Sequence, residues 1–195
     1  MSTDKAAIIT ALLYTDGRQP GPVMRAIVDH AVDEGHAVAG FIEREEPRPG
    51  YRRCDMVLED VASGARINIS QQRGAQARGC MLDTAELSRA ESLAGVALTH
   101  RPDLLVVNKF GKAEAEGAGF RPLIAAALGL DIPVLIAVPR RNLDAWRAFA
   151  GDLSAEIDIE ELVADPGAAY IQLGLATAAA RSAGGQPMPL RGARS

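Results

Sequence analysis

The chain has 195 residues, 48% hydrophobic and 24% charged, enough for one α/β domain with a substantial core. Its formal net charge of −4 argues against general binding to nucleic acid or to an anionic membrane surface. No apolar run reaches the roughly 18 residues of a membrane span, and aromatics are only 4%, so the core has to be built from Ala, Val, Leu and Ile. Met1 to Lys5 lacks the basic start and cleavage site of a secretory leader. Cys54 and Cys80 do not amount to a disulfide framework. The expectation is a cytoplasmic protein without a structural disulfide.

Ala6 to Tyr14 is a continuous apolar run and reads as a strand buried on both faces. Thr15 to Gly21 is dense in turn residues. Pro22 to Glu34 carries Val23, Ile27 and Ala31 with Met24, Val28 and Val32 at helical spacing, and Gly35 is its stop. Ala37 to Ile42 completes a strand–loop–helix–strand unit. Glu43 to Tyr51 is charged and Pro-containing and reads as an exposed loop. In 54–70, alternation around Ser63-Gly64 predicts a β-hairpin inserted in the fold. Gln71 to Gly79 reads as a loop. Asp83 followed by Glu86 opens a helix whose inner face is Leu87, Ala90, Ala94, Ala97 and Leu98. Pro102 to Val107 is a further buried strand, Phe120 to Leu128 a helix, and Ile132 to Val138 a fourth buried strand. Asn142 is placed to cap a helix over Leu143 to Ala150. Asp158 with Glu161, and Asp165 before Pro166, mark two more helix starts, the last helix running to about Arg181. The architecture predicted is a three-layer α/β domain over residues 1–183 with a mostly parallel sheet. Residues 184–195, broken by Gly184-Gly185, Pro187 and Pro189, form a flexible, dispensable tail.

In such sheets ligands gather beyond the carboxyl ends of the strands. Three predicted strand ends bring charged groups to that rim: Asp16, Gly17, Arg18 and Gly21 after the first, Asn108, Lys109, Gly111 and Lys112 after the central one, and Arg140 and Arg141 after the fourth. A basic cluster in an acidic chain, beside the N–H groups of a helix start, suits a small anionic ligand. Lys109 and Arg140 are expected to share that anion. Glu114 and Glu116 are the acids within reach of proton transfer or metal chemistry. Gly17 to Val23 departs from the phosphate-binding pattern G-x-x-x-x-G-K-[ST]. Its glycines are one residue too close, and Pro22 and Val23 stand in place of the lysine and hydroxyl. Lys109, ending the central strand, would repel magnesium. No metal site is read: two thiols and the scattered His30, His36 and His100, set at helix ends with solvent-facing roles, are too little.

Several blocks resemble an uncharacterised bacterial domain family. They are Cys54 to Asp60 with Ser63-Gly64, Gly79 to Asp83, Val107 to Gly117, and Val138 to Arg141 with Trp146 to Phe149. Members of that family carry labels such as nucleoside-triphosphatase-like protein or molybdenum-transport ATP-binding protein. The resemblance runs from about Ala6 to Gly151, and Asn-Lys-Phe-Gly-Lys at 108–112 with Glu114 is its most specific part. It implies a P-loop NTPase-like fold with degenerate motifs, a divergent relative of the thermophilic nucleoside-triphosphatase group. That group ends its central strand in Asp-Glu, then Gly, then Glu. Here Gly111 and Glu114 match in kind, while Asn108 and Lys109 replace the acids. Nucleotide or molybdate is the implied ligand, with magnesium only if hydrolysis survives.

Three functions stay open on these residues. The leading one is a non-hydrolysing binder of a nucleotide, phosphate or oxyanion at the strand rim. The second is an atypical nucleoside triphosphatase using Glu114 or Glu116. The third is a homo-oligomeric interaction protein making its contact through Trp146, Phe149 and the hairpin, although packing is the commoner role for a tryptophan such as Trp146.

Overall fold

The computed structural model describes residues 9–46, 55–70 and 82–164, together with Leu173 and Leu175. Cys54, Cys80, the 71–79 segment, the helix expected after Asp165 and the 184–195 tail lie outside the described residues. The apolar runs form strands β1 (Ile9–Tyr14), β5 (Leu104–Val107) and β6 (Val134–Pro139), and β1, β5 and β6 are buried at every position. With β2 (Val38–Glu46), β3 (Asp55–Asp60), β4 (Arg66–Asn68) and β7 (Ser154–Asp158) they make a seven-stranded sheet of order β4-β3-β2-β5-β6-β1-β7. The strands from β2 to β7 in that order run parallel, while β3 and β4 extend the β2 edge antiparallel.

Alternation within each buried strand feeds two separate cores. Leu12, Tyr14, Leu104, Val106, Leu135 and Ala137 point to the face covered by α1 (Gly21–Asp33) and α6 (Ile159–Ala164). Ala11, Leu13, Leu105, Val107, Ile136 and Val138 point to the opposite face, covered by α2 (Thr84–Leu98), α4 (Arg121–Gly129) and α5 (Leu143–Ala150). This is the expected three-layer α/β architecture, with the predicted hairpin built into the sheet as β3 and β4. The capped start predicted at Asp83 is present: its carboxylate accepts the N–H groups of Ala85 and Glu86 at 3.0 and 3.2 Å.

Several expectations are corrected. Residues 43–46, read as loop, continue β2, because β3 pairs with that strand from Phe41 through Glu46. Ser154–Asp158 is a strand that the sequence concealed; at the sheet edge it is only partly covered, so it lacks an apolar run. Asn142 does not cap α5; its Nδ2 donates to the Phe110 carbonyl at 2.9 Å. His36 is buried, with Nδ1 3.7 Å from Asp103. Trp146, a subunit contact only in the third reading, packs instead and is fully buried; its ring meets Phe110 edge-on at 5.2 Å and lies 6.0 Å from Phe149.

Candidate functional site: a cationic cleft where two parallel strands part

The site begins at Gly40. The parallel pairing of β2 with β5 is continuous through Gly40 and Val106. Gly40 has φ of +116°, and a Cβ there would lie 1.9 Å from the Val106 carbonyl oxygen, so only glycine allows this approach. Beyond it β2 turns away to pair with β3, and the two carboxyl ends diverge. Asn108 bridges the gap with its side chain. Its Oδ1 accepts the Glu43 N–H at 2.9 Å, and its Nδ2 donates to Glu43 Oε2 at 2.8 Å. A side-chain amide thus replaces the next backbone rung, which is why a buried polar residue is tolerated here.

Against this fork lies a cavity of about 410 Å³. The β1–α1 loop and the first turn of α1 contribute Arg18, Gln19, Pro20, Gly21, Pro22 and Arg25, and the strand ends contribute Tyr14, Ile42, Glu43, Arg44, Asn108 and Lys109. Among the described residues its cations are Arg18, Arg25, Arg44 and Lys109, and Glu43 is its one carboxylate. Lys109 Nζ sits 2.5 Å from Glu43 Oε2. Arg25 Nη2 and Arg44 Nε converge on Glu59 at 2.5 and 2.6 Å, and Arg18 meets Glu160 at 2.9 Å. Tyr14, Pro20, Pro22 and Ile42 supply an apolar wall. Burial raises the Tyr14 phenol above its ordinary range, against the opposing pull of Lys109 and Arg141, so it stays protonated at neutral pH and is a hydrogen-bond donor there.

Of the predicted ligand residues, Arg18, Gly21, Asn108 and Lys109 line this cavity. The others do not. Arg141 pairs with Asp16, and Arg140 pairs with Asp158 across the end of β1. Arg140 and Lys109 are therefore engaged with different carboxylates on different strands. Gly17 turns the loop with φ of +91°, outside the lining. Gly111 precedes α3 (Lys112–Ala115), and Lys112 is exposed, 3.6 Å from Glu116. Neither predicted acid lines the cavity either. Glu114 is buried and accepts the N–H groups of Gly111 and Phe120 at 2.8 and 3.0 Å, while Glu116 lies on the surface. Among the described residues no cluster of acids, histidines and cysteines is arranged to hold a metal ion.

Sequence reasoning missed Tyr14, Arg25, Glu43 and Arg44. Arg25 was legible as a basic residue on the first helical turn after the loop. Arg44 was hidden by reading 43–51 as loop.

Two known proteins are similar to this chain. The curated protein "Molybdenum import ATP-binding protein ModC 2" of Bradyrhizobium diazoefficiens is 32% identical over 155 residues, 80% of this chain; the match spans only 17% of that relative's length. The crystal structure of THEP1 from the hyperthermophile Aquifex aeolicus shares the fold, with a TM-score of 0.53 over 77% of this chain and 88% of that one, at 12% identity. Matched over residues 9–165, the chain belongs to the family described as "Protein of unknown function (DUF2478)".

Proposed function

We propose that the cavity between the β1–α1 loop and the diverging ends of β2 and β5 binds a nucleotide, or another phosphate-bearing anion, without hydrolysing it. The observation that carries this reading is the cavity's mixed lining. Arg18, Arg25, Arg44 and Lys109 outnumber Glu43 at one set of walls, and Tyr14, Pro20, Pro22 and Ile42 form another. A ligand with a charged end and a flat, less polar body matches both. The position agrees with the rule for open α/β sheets, and the N-terminal end of α1 adds favourable potential for an anion. The relative's name, an ATP-binding protein for molybdenum import, supports a nucleotide over other anions. A cavity of about 410 Å³ is far larger than a lone tetrahedral oxyanion such as molybdate requires. The fold likeness and the family resemblance agree with kinship to P-loop proteins, but among the described residues the lining offers no hydroxyl from Ser or Thr and no carboxylate other than Glu43 for magnesium. Glu114, the acid placed best by sequence, has both oxygens occupied by backbone N–H groups.

The test is thermal unfolding with ATP, ADP, molybdate and phosphate, with and without magnesium, alongside an ATP turnover assay. A ligand that binds the folded state raises Tm. The expected result is a rise with ADP or ATP that does not need magnesium, and no turnover near enzyme-like rates of about 1 per second. Turnover at that rate, abolished by Glu114→Gln or Glu116→Gln, overturns the non-hydrolysing assignment.

A further inference from the structure

The cavity's cations differ in what already holds them. Lys109 and Asn108 both hold the Glu43 carboxylate, at 2.5 and 2.8 Å. That group is locally neutral and supplied with an acid from within the fold. Arg25 and Arg44 are held differently. They share the buried carboxylate of Glu59, which Arg66, engaged elsewhere as well, approaches to 3.7 Å. Arg25 has one further acid nearby, Asp29, 3.9 Å away and itself well exposed.

The sheet register explains this arrangement. Ile42 pairs with Glu59, and Glu59 with Arg66, so those side chains form one row across β2, β3 and β4. Arg44 lies two residues beyond Ile42 and therefore on the same face. That face is the one α1 covers, since Ile42 belongs to the core beneath that helix, and Arg25 reaches the row from its first turns. The antiparallel extension of the sheet thus supplies the carboxylate that aims two arginines into the cavity.

We propose that the Arg25–Arg44 pair, held by Glu59, is the subsite that receives the ligand's phosphate group, while Lys109 stays with Glu43. The proposal rests on the reading of the cavity given above and names its polarity. Arg25 and Arg44 share the one carboxylate of Glu59, so each guanidinium keeps N–H donors that a phosphate can take up. Two planar guanidiniums also match the spread of phosphate oxygens, which a single ammonium does not. The phosphate therefore sits toward β2 and α1, and the less polar body of the ligand toward Tyr14, Pro20 and Pro22.

Calorimetric titration of the wild-type chain with phosphate, pyrophosphate, AMP, ADP and adenosine, without magnesium, tests this. The free anions and the nucleotides separate a phosphate site from a nucleotide site. Arg44→Gln is expected to weaken ADP binding about ten-fold or more, the loss typical of a charge-assisted contact. Arg44→Lys should recover only part of it, because the charge returns without the fork. The double change Glu43→Gln, Lys109→Gln, which removes that ion pair as a unit, should cost less than Arg44→Gln. Arg44 is half exposed, and its removal leaves Glu59 with Arg25 and Arg66, so the fold should persist; unfolding curves check this, and Arg44→Lys reports if the Gln variant is unstable. If that double change costs as much as Arg44→Gln, the subsite assignment is wrong and the cavity reading survives. If the wild type binds none of the phosphate-bearing probes, both fall together.

Discussion

Both oxygens of Glu114 accept backbone N–H groups, and the side chain is sealed from water. The geometry demands a glycine nearby: a Cβ on Gly119, whose φ is +61°, would stand 2.0 Å from Glu114 Oε1. Gly111, Glu114 and Gly119 therefore form one local device that fixes the turn between β5 and α4. Its charge raises the Glu91 carboxyl in second place, after the burial of Glu91 itself. Glu114→Gln can satisfy one of the two N–H groups with its carbonyl but presents its amide to the other. Replacement should cost about 1–3 kcal/mol, the usual penalty for a buried group left unpaired, read as a lower urea midpoint. Ligand response measured by thermal shift should remain. Loss of binding with unchanged stability would instead place Glu114 in the site.

At the scale of elements, the clearest contrast is between the central strands and β7. The central strands were legible because burial on both faces leaves an unbroken apolar run. β7 reads Ser-Ala-Glu-Ile-Asp, and its polar positions are held by ion pairs instead. Arg147 donates two hydrogen bonds to Glu156, at 2.9 and 2.7 Å, and holds that carboxyl below its ordinary range. Asp158 is held low first by the N–H of Glu160, against some desolvation, and then by Arg140. A carboxyl with a lower value in the folded chain adds stability above its unfolded value, and that contribution is lost as pH falls through the folded one. Stability should therefore be level near neutrality and decline from about pH 5 downward. The double variant Glu156→Gln, Asp158→Asn should flatten that decline in urea titrations at stepped pH. An unchanged acid limb would show that other carboxyls govern it.

For the whole molecule, the layers and the sheet's mostly parallel character followed from periodicity, but the site followed only in part. The sequence gives the charges and withholds their partners. Lys109, Arg140 and Arg141 looked convergent because each follows an apolar run, yet each is turned to a different carboxylate, Glu43, Asp158 or Asp16. Arg25 and Arg44 meet through Glu59, 34 and 15 residues away respectively in the chain, which requires a strand register that no local pattern encodes. Burial of Trp146 follows the same logic: its neighbour Phe110 comes from beyond β5, and the two rings share one core. Trp146→Ala should cost about 3–5 kcal/mol, as for other large-to-small changes in a packed interior. Sedimentation of the folded variant should match that of the wild type; a changed association state would return Trp146 to an interface.

The amide of Asn108 that spans the parted strands has a mechanical meaning. A ladder of backbone bonds opens only by unzipping, each rung depending on its neighbours. A rung made by one side chain can be released and remade by rotation about its own torsions, leaving the paired region through Gly40 and Val106 in register. The fork is thus a clasp on a rigid frame, closed by the two hydrogen bonds of Asn108 to Glu43 and seconded by Lys109 on the same carboxylate.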